Sequence, residues 1–208
     1  MDGALVVVGC GGHGREIAGL VRAEGRWEPA GFVDDGPAPD NLARLARLGI
    51  PFLGGLDRLA RTGPDTRYVL GIGDPRVRRA VAARVDAHGL RPATVVHPAA
   101  TVGAEVDLAE GVVLFAGARV TTNVTLGRHT HLNQNATVGH DSVLGAYVTV
   151  GPLAAVSGTC RIGDGVLIGT TAAVLQGLTV GADATVGAGA CVTRDVPPGV
   201  VVKGVPAR

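Results

Sequence analysis

The feature that most constrains this chain is a six-residue repeat running through its second half. Stepping by six from Val96 gives Val96, Val102, Leu108, Leu114, Val120, Leu126, Leu132, Val138 and Leu144. Val150, Val156, Ile162, Ile168, Val174, Val180, Val186 and Val192 follow, so all 17 positions are aliphatic, with no insertion. The position four residues later is Ala or Val in most hexads, with single Thr, Ser, Cys and Leu residues. The residue directly after the aliphatic is Gly in 9 of the 17, including Gly127, Gly139, Gly145, Gly163 and Gly169. A helix needs a period of 3.6 and a simple amphipathic strand a period of 2. A strict period of six, with one large and one small inward residue, fits a β-solenoid in which each flat face is one hexad. The glycines are expected to help the backbone turn the corners. If three hexads complete a coil, residues 18 apart in sequence stack about 4.8 Å apart. The 90 or so residues before Val96 are expected to cover one exposed end of the solenoid.

Composition narrows the function classes. The 208 residues include 33 Gly but only 3 Phe, 2 Tyr and 1 Trp, so the core is built from Val, Leu, Ile and Ala. Charged residues make up 18% and the net charge is +1, which excludes intrinsic disorder and leaves no basic surface for nucleic acid. No apolar run approaches the roughly 20 residues that span a bilayer, so no membrane insertion is expected. Met1-Asp2-Gly3 lacks the basic start of a signal peptide. Cys10, Cys160 and Cys191 are odd in number and scattered, which suits a cytoplasmic protein.

From residue 93 onward charged residues thin out, and Gly, Val, Ala and Thr take over. That shift divides the chain into residues 1–92 and 93–208. The first part reads as a small α/β Rossmann-like unit. Ala4 to Val8 predicts a strand, Arg15 to Gly25 a helix, Ala30 to Val33 and Tyr68 to Ile72 two more strands. Asp74 followed by Pro75 reads as the cap of a helix running to about His88. Residues 36–65 carry no clear pattern.

Between the first strand and helix stands Gly9-x-Gly11-x-x-Gly14, with an acid 20 residues further on at Asp34. Such glycines let backbone approach a phosphate, and the following helix N-terminus favours an anion. Nucleotide or sugar-phosphate binding is the expectation. NAD fits less well, because one small unit lacks the two halves a dinucleotide spans. The same glycines also suit a turn that only packs helix on strand.

In the second part, His140 falls in the third hexad position, a polar register expected to face outward. Gly158, one coil on, would leave room for a substrate and an uncovered N–H beside the imidazole. His140 could then act as a base, the Gly158 N–H as an oxyanion donor, and Asp141 as the group that orients the ring. Asn133 could hydrogen-bond a substrate amine or hydroxyl.

The chain resembles the sialic acid O-acetyltransferase family of hexapeptide-repeat sugar acetyltransferases. It is most like the UDP-4-amino-sugar N-acetyltransferases of the bacillosamine pathway. The likeness is carried by Gly11-Gly12-His13-Gly14, Phe32-Val33-Asp34-Asp35, the hexads with Gly139-His140-Asp141, and the tail Val202-Lys203-Gly204-Val205-Pro206-Ala207. The resemblance implies a left-handed parallel β-helix and a homotrimer with CoA between neighbouring β-helices. It implies acetyl transfer from acetyl-CoA, without a metal, to an amino sugar on a nucleotide. His140 would be the general base, Asp141 its partner and Gly158 N–H the oxyanion donor. Gly11, Gly12, His13, Asp34, Asp35 and Gly73 would bind the nucleotide-sugar. Thr170, Gly187 and Ala188 fall where members contact CoA through backbone groups. Thr149 stands at a further CoA-contact position, where many members have a second His.

Three other readings compete. O-acetylation of a sialic acid or related sugar would use the same His140 and Asp141. A zinc enzyme of the γ-carbonic anhydrase type would take His129 and His131 from one strand and His140 from a neighbour. A trimeric binding protein would use the β-helix for assembly alone.

Overall fold

The structure is a computed structural model, and it describes residues 3–63 and 65–208. The first half forms one parallel sheet of β1 (Ala4–Val8), β2 (Glu28–Val33), β3 (Phe52–Gly54), β4 (Arg67–Leu70) and β5 (Arg91–Pro92), in the order β3-β2-β1-β4-β5. Around it run α1 (Gly12–Glu24), α2 (Pro39–Leu48), α3 (Pro75–Asp86) and a 3₁₀ helix, Leu56–Arg61. Leu5, Val6, Val7 and Val8 are all buried, the continuous apolar run of a strand covered on both faces. The chain walks outward from β1 to β3, then returns to add β4 on the other side. That reversal opens a crevice beyond the carboxyl ends of β1 and β4.

Helix α1 begins at Gly12, three residues before the start read from its apolar spacing, because Gly11 holds extended backbone and caps it. Asp74 caps α3 as expected, its carboxylate accepting from the Arg76 and Val77 N–H groups. The unpatterned stretch holds α2, β3 and the 3₁₀ helix. Helix α2 lies on the surface and buries only Leu45.

The second half is the three-sided parallel β-helix that the hexads require. The first face stacks seven strands, from Val95–Val96 to Val201–Val202. The second stacks six, from Thr101–Val102 to Cys191–Val192, and the third five, from Val106–Leu108 to Thr179–Val180. Register holds at one coil throughout, with Thr137 paired to Arg119 and to Ala155. At the close, Val186 pairs with Val202, two residues short of that register. At the large inward positions of the first face, Leu114, Leu132, Val150, Ile168 and Val186 are 0% exposed, and the small inward residues, such as Ala118, Ala136 and Ala154, fill the space between.

Two expectations need correction. The corners turn at the fourth residue of each hexad, where Asn123, Asn135, Asp141, Tyr147 and Thr159 take left-handed φ. The glycine after each aliphatic has a different cause. A Cβ on Gly139 would lie 2.5 Å from the Gly158 nitrogen, so its bareness lets adjacent coils close up. The first half also covers a side of the prism rather than its end. Val95, Val113, His131 and Thr149, on the outside of the first face, are buried, while Val102 in the first coil stays 41% exposed. Val95, Val113 and Phe115 pack with Ile17, Leu20 and Val21 of α1 in one core. Arg78 of α3, 0% exposed, donates to the carbonyls of Ile72, Gly73, His129, Tyr147 and Val148 and to the Thr149 hydroxyl.

Candidate active site

The hexad Val138-Gly139-His140-Asp141-Ser142-Val143 turns the corner between the second and third faces, the edge of the prism opposite the face the first half covers. Val138 points inward and is buried; His140, two residues on, is exposed. The left-handed φ of Asp141, 60°, swings its carboxylate back alongside the imidazole. His140 Nδ1 lies 2.7 Å from Asp141 Oδ2, and Asn123 Nδ2 donates to Asp141 Oδ1, also at 2.7 Å. The Asn123 amide, and after it the imidazole, hold the Asp141 carboxyl below its ordinary range.

On the next coil, Gly158 is backed against the free edge of the ring. A Cβ there would lie 2.6 Å from both Cε1 and Nε2 of His140, so glycine is required for the imidazole to stand where it does. The Gly158 N–H donates to no acceptor among the described residues, whereas its carbonyl accepts from Gly177. Thr159 N–H donates to the His140 carbonyl at 2.7 Å, fixing the two coils together. A proton acceptor, a carboxylate behind it and an unengaged N–H in front therefore share one solvent-facing corner. This is an arrangement suited to taking a proton and steadying a developing oxyanion. Asn123 was not among the residues singled out from sequence, although it stands one coil before Asp141 in the same register.

The other residues singled out in the β-helix divide. Thr170 and Ala188, on the corner between the first and second faces, are exposed, and neither N–H has an acceptor among the described residues. Gly187 differs, since its N–H donates to the Val202 carbonyl. Asn133 is 7% exposed and its Nδ2 donates to the Val150 carbonyl. Thr149 corrects its expectation. It is 5% exposed beneath the first half, its hydroxyl accepting from Arg78 and donating to the Gly73 carbonyl, and this leaves it no opening to a cofactor.

In the first half, Gly9 takes φ 100°, and a Cβ on Gly14 would overlap the Gly9 carbonyl, so both glycines serve the strand-to-helix turn. Gly11 has open space where a side chain would be, and Gly12 nearly so. Beyond the strand ends lies a cavity of about 240 Å³, lined by Val8, Val33, Leu56, Ile72 and Val81, with Asp34, Asp35 and Arg84 among its polar groups. Asp35 accepts from the Leu56 N–H at 2.8 Å and from Arg84 at 2.6 Å, which hold its carboxyl below the usual range. Asp34 accepts from the N–H groups of Cys10 and Gly36 and from the Cys10 thiol, which burial and that carboxylate push up to about 12. His13 turns away from this crevice toward the β-helix, against Phe115 and His131. Gly73 contributes its carbonyl to Arg78 and Thr149.

The zinc reading loses its ligands. His129 and His131 are 0% exposed, packed against Tyr68 and His13. No group of three potential ligands among the described residues could hold a metal ion. No described helix is long and apolar enough to cross a membrane.

Known proteins match this architecture. Residues 4–85 match the PglD N-terminal domain. UDP-N-acetylbacillosamine N-acetyltransferase of Bacillus subtilis (strain 168) is 32% identical over 112 residues, 54% of this chain and 51% of that protein, so the match spans about half of that relative's length. PerB from Caulobacter crescentus, solved with CoA and GDP-perosamine, superposes with a TM-score of 0.90 at 35% identity, covering 100% of this chain and 97% of that one. The acetyltransferase domain of PglB from Neisseria gonorrhoeae FA1090, solved with acetyl coenzyme A, gives 0.85 at 32% identity over 99% and 98%. With a Rossmann-like half laid along a left-handed hexapeptide β-helix over its full length, this chain belongs to the hexapeptide-repeat sugar acetyltransferase family.

Proposed function

We propose that this protein transfers the acetyl group of acetyl-CoA to the amino group of a nucleotide-linked amino sugar, with His140 as general base. The carrying observation is the corner itself: an exposed imidazole, bonded through Nδ1 to Asp141, with Nε2 facing the bare backbone of Gly158. His140 Nε2 takes a proton from the amine as its nitrogen attacks the thioester carbonyl carbon. Asp141 stabilises the imidazolium, and the Gly158 N–H donates to the carbonyl oxygen as it gains charge. When the tetrahedral intermediate collapses the C–S bond breaks, and His140 returns its proton to the departing sulfur. On the corner between the first and second faces, the unengaged N–H groups of Thr170 and Ala188 fit a ligand with several acceptors, such as CoA, lying along that corner. Relatives solved with CoA, acetyl coenzyme A and GDP-perosamine support the choice of co-substrate and acceptor class.

The division near residue 92 is part of the same proposal, the first half holding the nucleotide-sugar in the crevice lined by Asp34 and Asp35. No hydrogen bond or ring contact joins His140, Asp141 or Gly158 to any described residue of the first half. A homotrimer, in which the crevice of one chain serves the His140 corner of a neighbour, brings the two together. The free cysteines suit a cytoplasmic enzyme. Replacing His140 by Ala should lower turnover by about 10²–10⁴-fold while CoA still binds; wild-type turnover would remove His140 as the base. A mass-spectrometric screen of UDP-, GDP- and dTDP-linked amino sugars with acetyl-CoA identifies the acceptor, and acetyl found on a hydroxyl would favour the O-acetyltransferase reading.

A further inference from the structure

We propose that Asn123 is a positioning residue for this reaction, holding the Asp141 carboxylate in the orientation that aims the His140 imidazole at Gly158. This role rests on the reading of His140 as the base. Asn123 and Asp141 occupy the same corner register on adjacent coils, with φ of 53° and 60°. Tolerance of left-handed backbone alone would account for an asparagine there, but the side chain also makes a directed contact. Its Nδ2 donates to Asp141 Oδ1 at 2.7 Å, while the other oxygen, Oδ2, meets His140 Nδ1 at 2.7 Å.

The side chain of Asp141 is about half exposed, and its terminal torsion is intrinsically broad. A carboxylate bonded at one oxygen alone can swing about that torsion and carry the imidazole with it. Bonded at both oxygens, its plane is set, and the ring plane follows. The ring stands with its Nε2 edge where a Gly158 side chain would begin, so any swing carries Nε2 away from the Gly158 backbone. Charge along the corner points the same way. Glu105 precedes Asn123 by one coil in this register, so a neutral amide separates two acids, and it presents a donor where an acid would present only an acceptor. Asn123 touches none of the reacting groups, and its whole effect passes through Asp141.

The test uses N123G and N123D in the full-length enzyme, alone and combined with D141N. Glycine is already accepted at this register with positive φ at Gly111, Gly117, Gly165, Gly177 and Gly189, so N123G removes the amide and keeps the turn. N123G should lower kcat about tenfold and leave KM for both substrates within about twofold. N123D, which swaps the donor for a like charge, should lose at least as much. In the D141N background N123G should have no further effect, because the carboxylate through which Asn123 acts is gone. Wild-type kcat in N123G, or a loss that multiplies with that of D141N, would overturn the proposal and leave Asn123 as a corner residue only. Turnover surviving in H140A would instead sink the base itself; an inactive H140A beside a fully active N123G sinks only the positioning role.

Discussion

His13 and His131 stand 118 residues apart in sequence, and their rings meet with Nε2 of the first 3.1 Å from Nδ1 of the second. The rings stack, with centroids 5.3 Å apart, at the junction of the two halves. Such a contact needs one donor and one acceptor, so the pair holds together with a single proton between the facing nitrogens. Among the described residues His131 Nε2 and His129 Nδ1 have no partner and are buried, and the fully buried Arg78 guanidinium lies close by. The Gly11-Gly12-His13-Gly14 turn is thereby fastened to the outer wall of the β-helix.

That junction should be sensitive to acid. Burial and the Arg78 charge lower His13 from 6.5 to about 4. Burial, with Arg128 next, brings His129 to about 3, and burial takes His131 well below 6.5. All three bind protons more weakly folded than unfolded, so the unfolded chain takes up more protons once pH drops below 6.5. Stability should be level above about pH 7.5 and then fall with decreasing pH, by at most about 4 kcal/mol per pH unit while all three stay neutral. Urea denaturation across that range measures the slope. His131→Gln should flatten it by about a third, and a level profile down to about pH 5 would mean these rings are not held neutral.

Among the described residues no carboxylate pairs with Arg78; its donors go to backbone carbonyls of both halves and to Thr149. Arg78→Met removes the donors and leaves those buried oxygens short of partners. A loss of about 3–5 kcal/mol is expected, with the first half cut by protease sooner than the β-helix. Stability within about 1 kcal/mol of wild type would show that water replaces the guanidinium.

Gly158→Ala places a methyl group 2.6 Å from His140 Cε1 and Nε2. The imidazole must turn outward, away from Asp141 or from its line to the 158 N–H. Turnover should fall about 10- to 100-fold, with thermal stability little changed because the ring can move into solvent. An alanine variant as active as wild type would show that the ring has no fixed station.

Asp35 pairs with Arg84 on the rim of the crevice, with 43% and 60% of the side chains exposed. Asp35→Asn should therefore cost less than about 1 kcal/mol of stability. If the crevice holds the nucleotide, the KM for the nucleotide-sugar rises about tenfold while kcat at saturation is kept. Steady-state kinetics separates the two; a changed kcat with constant KM would move the binding site elsewhere.

Much of this is legible in the sequence. The hexads announce the three-sided coil because an inward position recurring every six residues admits few other backbones, and Leu132, Val150 and Ile168 fall inside as that period demands. His140 and Gly158 could be paired on paper because one coil is one fixed number of residues. Asn123 followed from the same arithmetic but carries no catalytic residue type to draw notice. Thr149 misled for a different reason. Register tells which side chains face out from a coil, and says nothing of which face another part of the chain will cover.

The sequence by itself determined the repeat, its register and the corner where imidazole, carboxylate and bare peptide meet, since each depends on contacts one coil apart. Only the tertiary structure decided that the first half lies along the first face, that His13 and His131 share a bond, and that Arg78 ties both halves through backbone oxygens. Those contacts join segments more than 50 residues apart through side chains and carbonyls. Packing selects them from many surfaces of similar composition, and no local period records the choice.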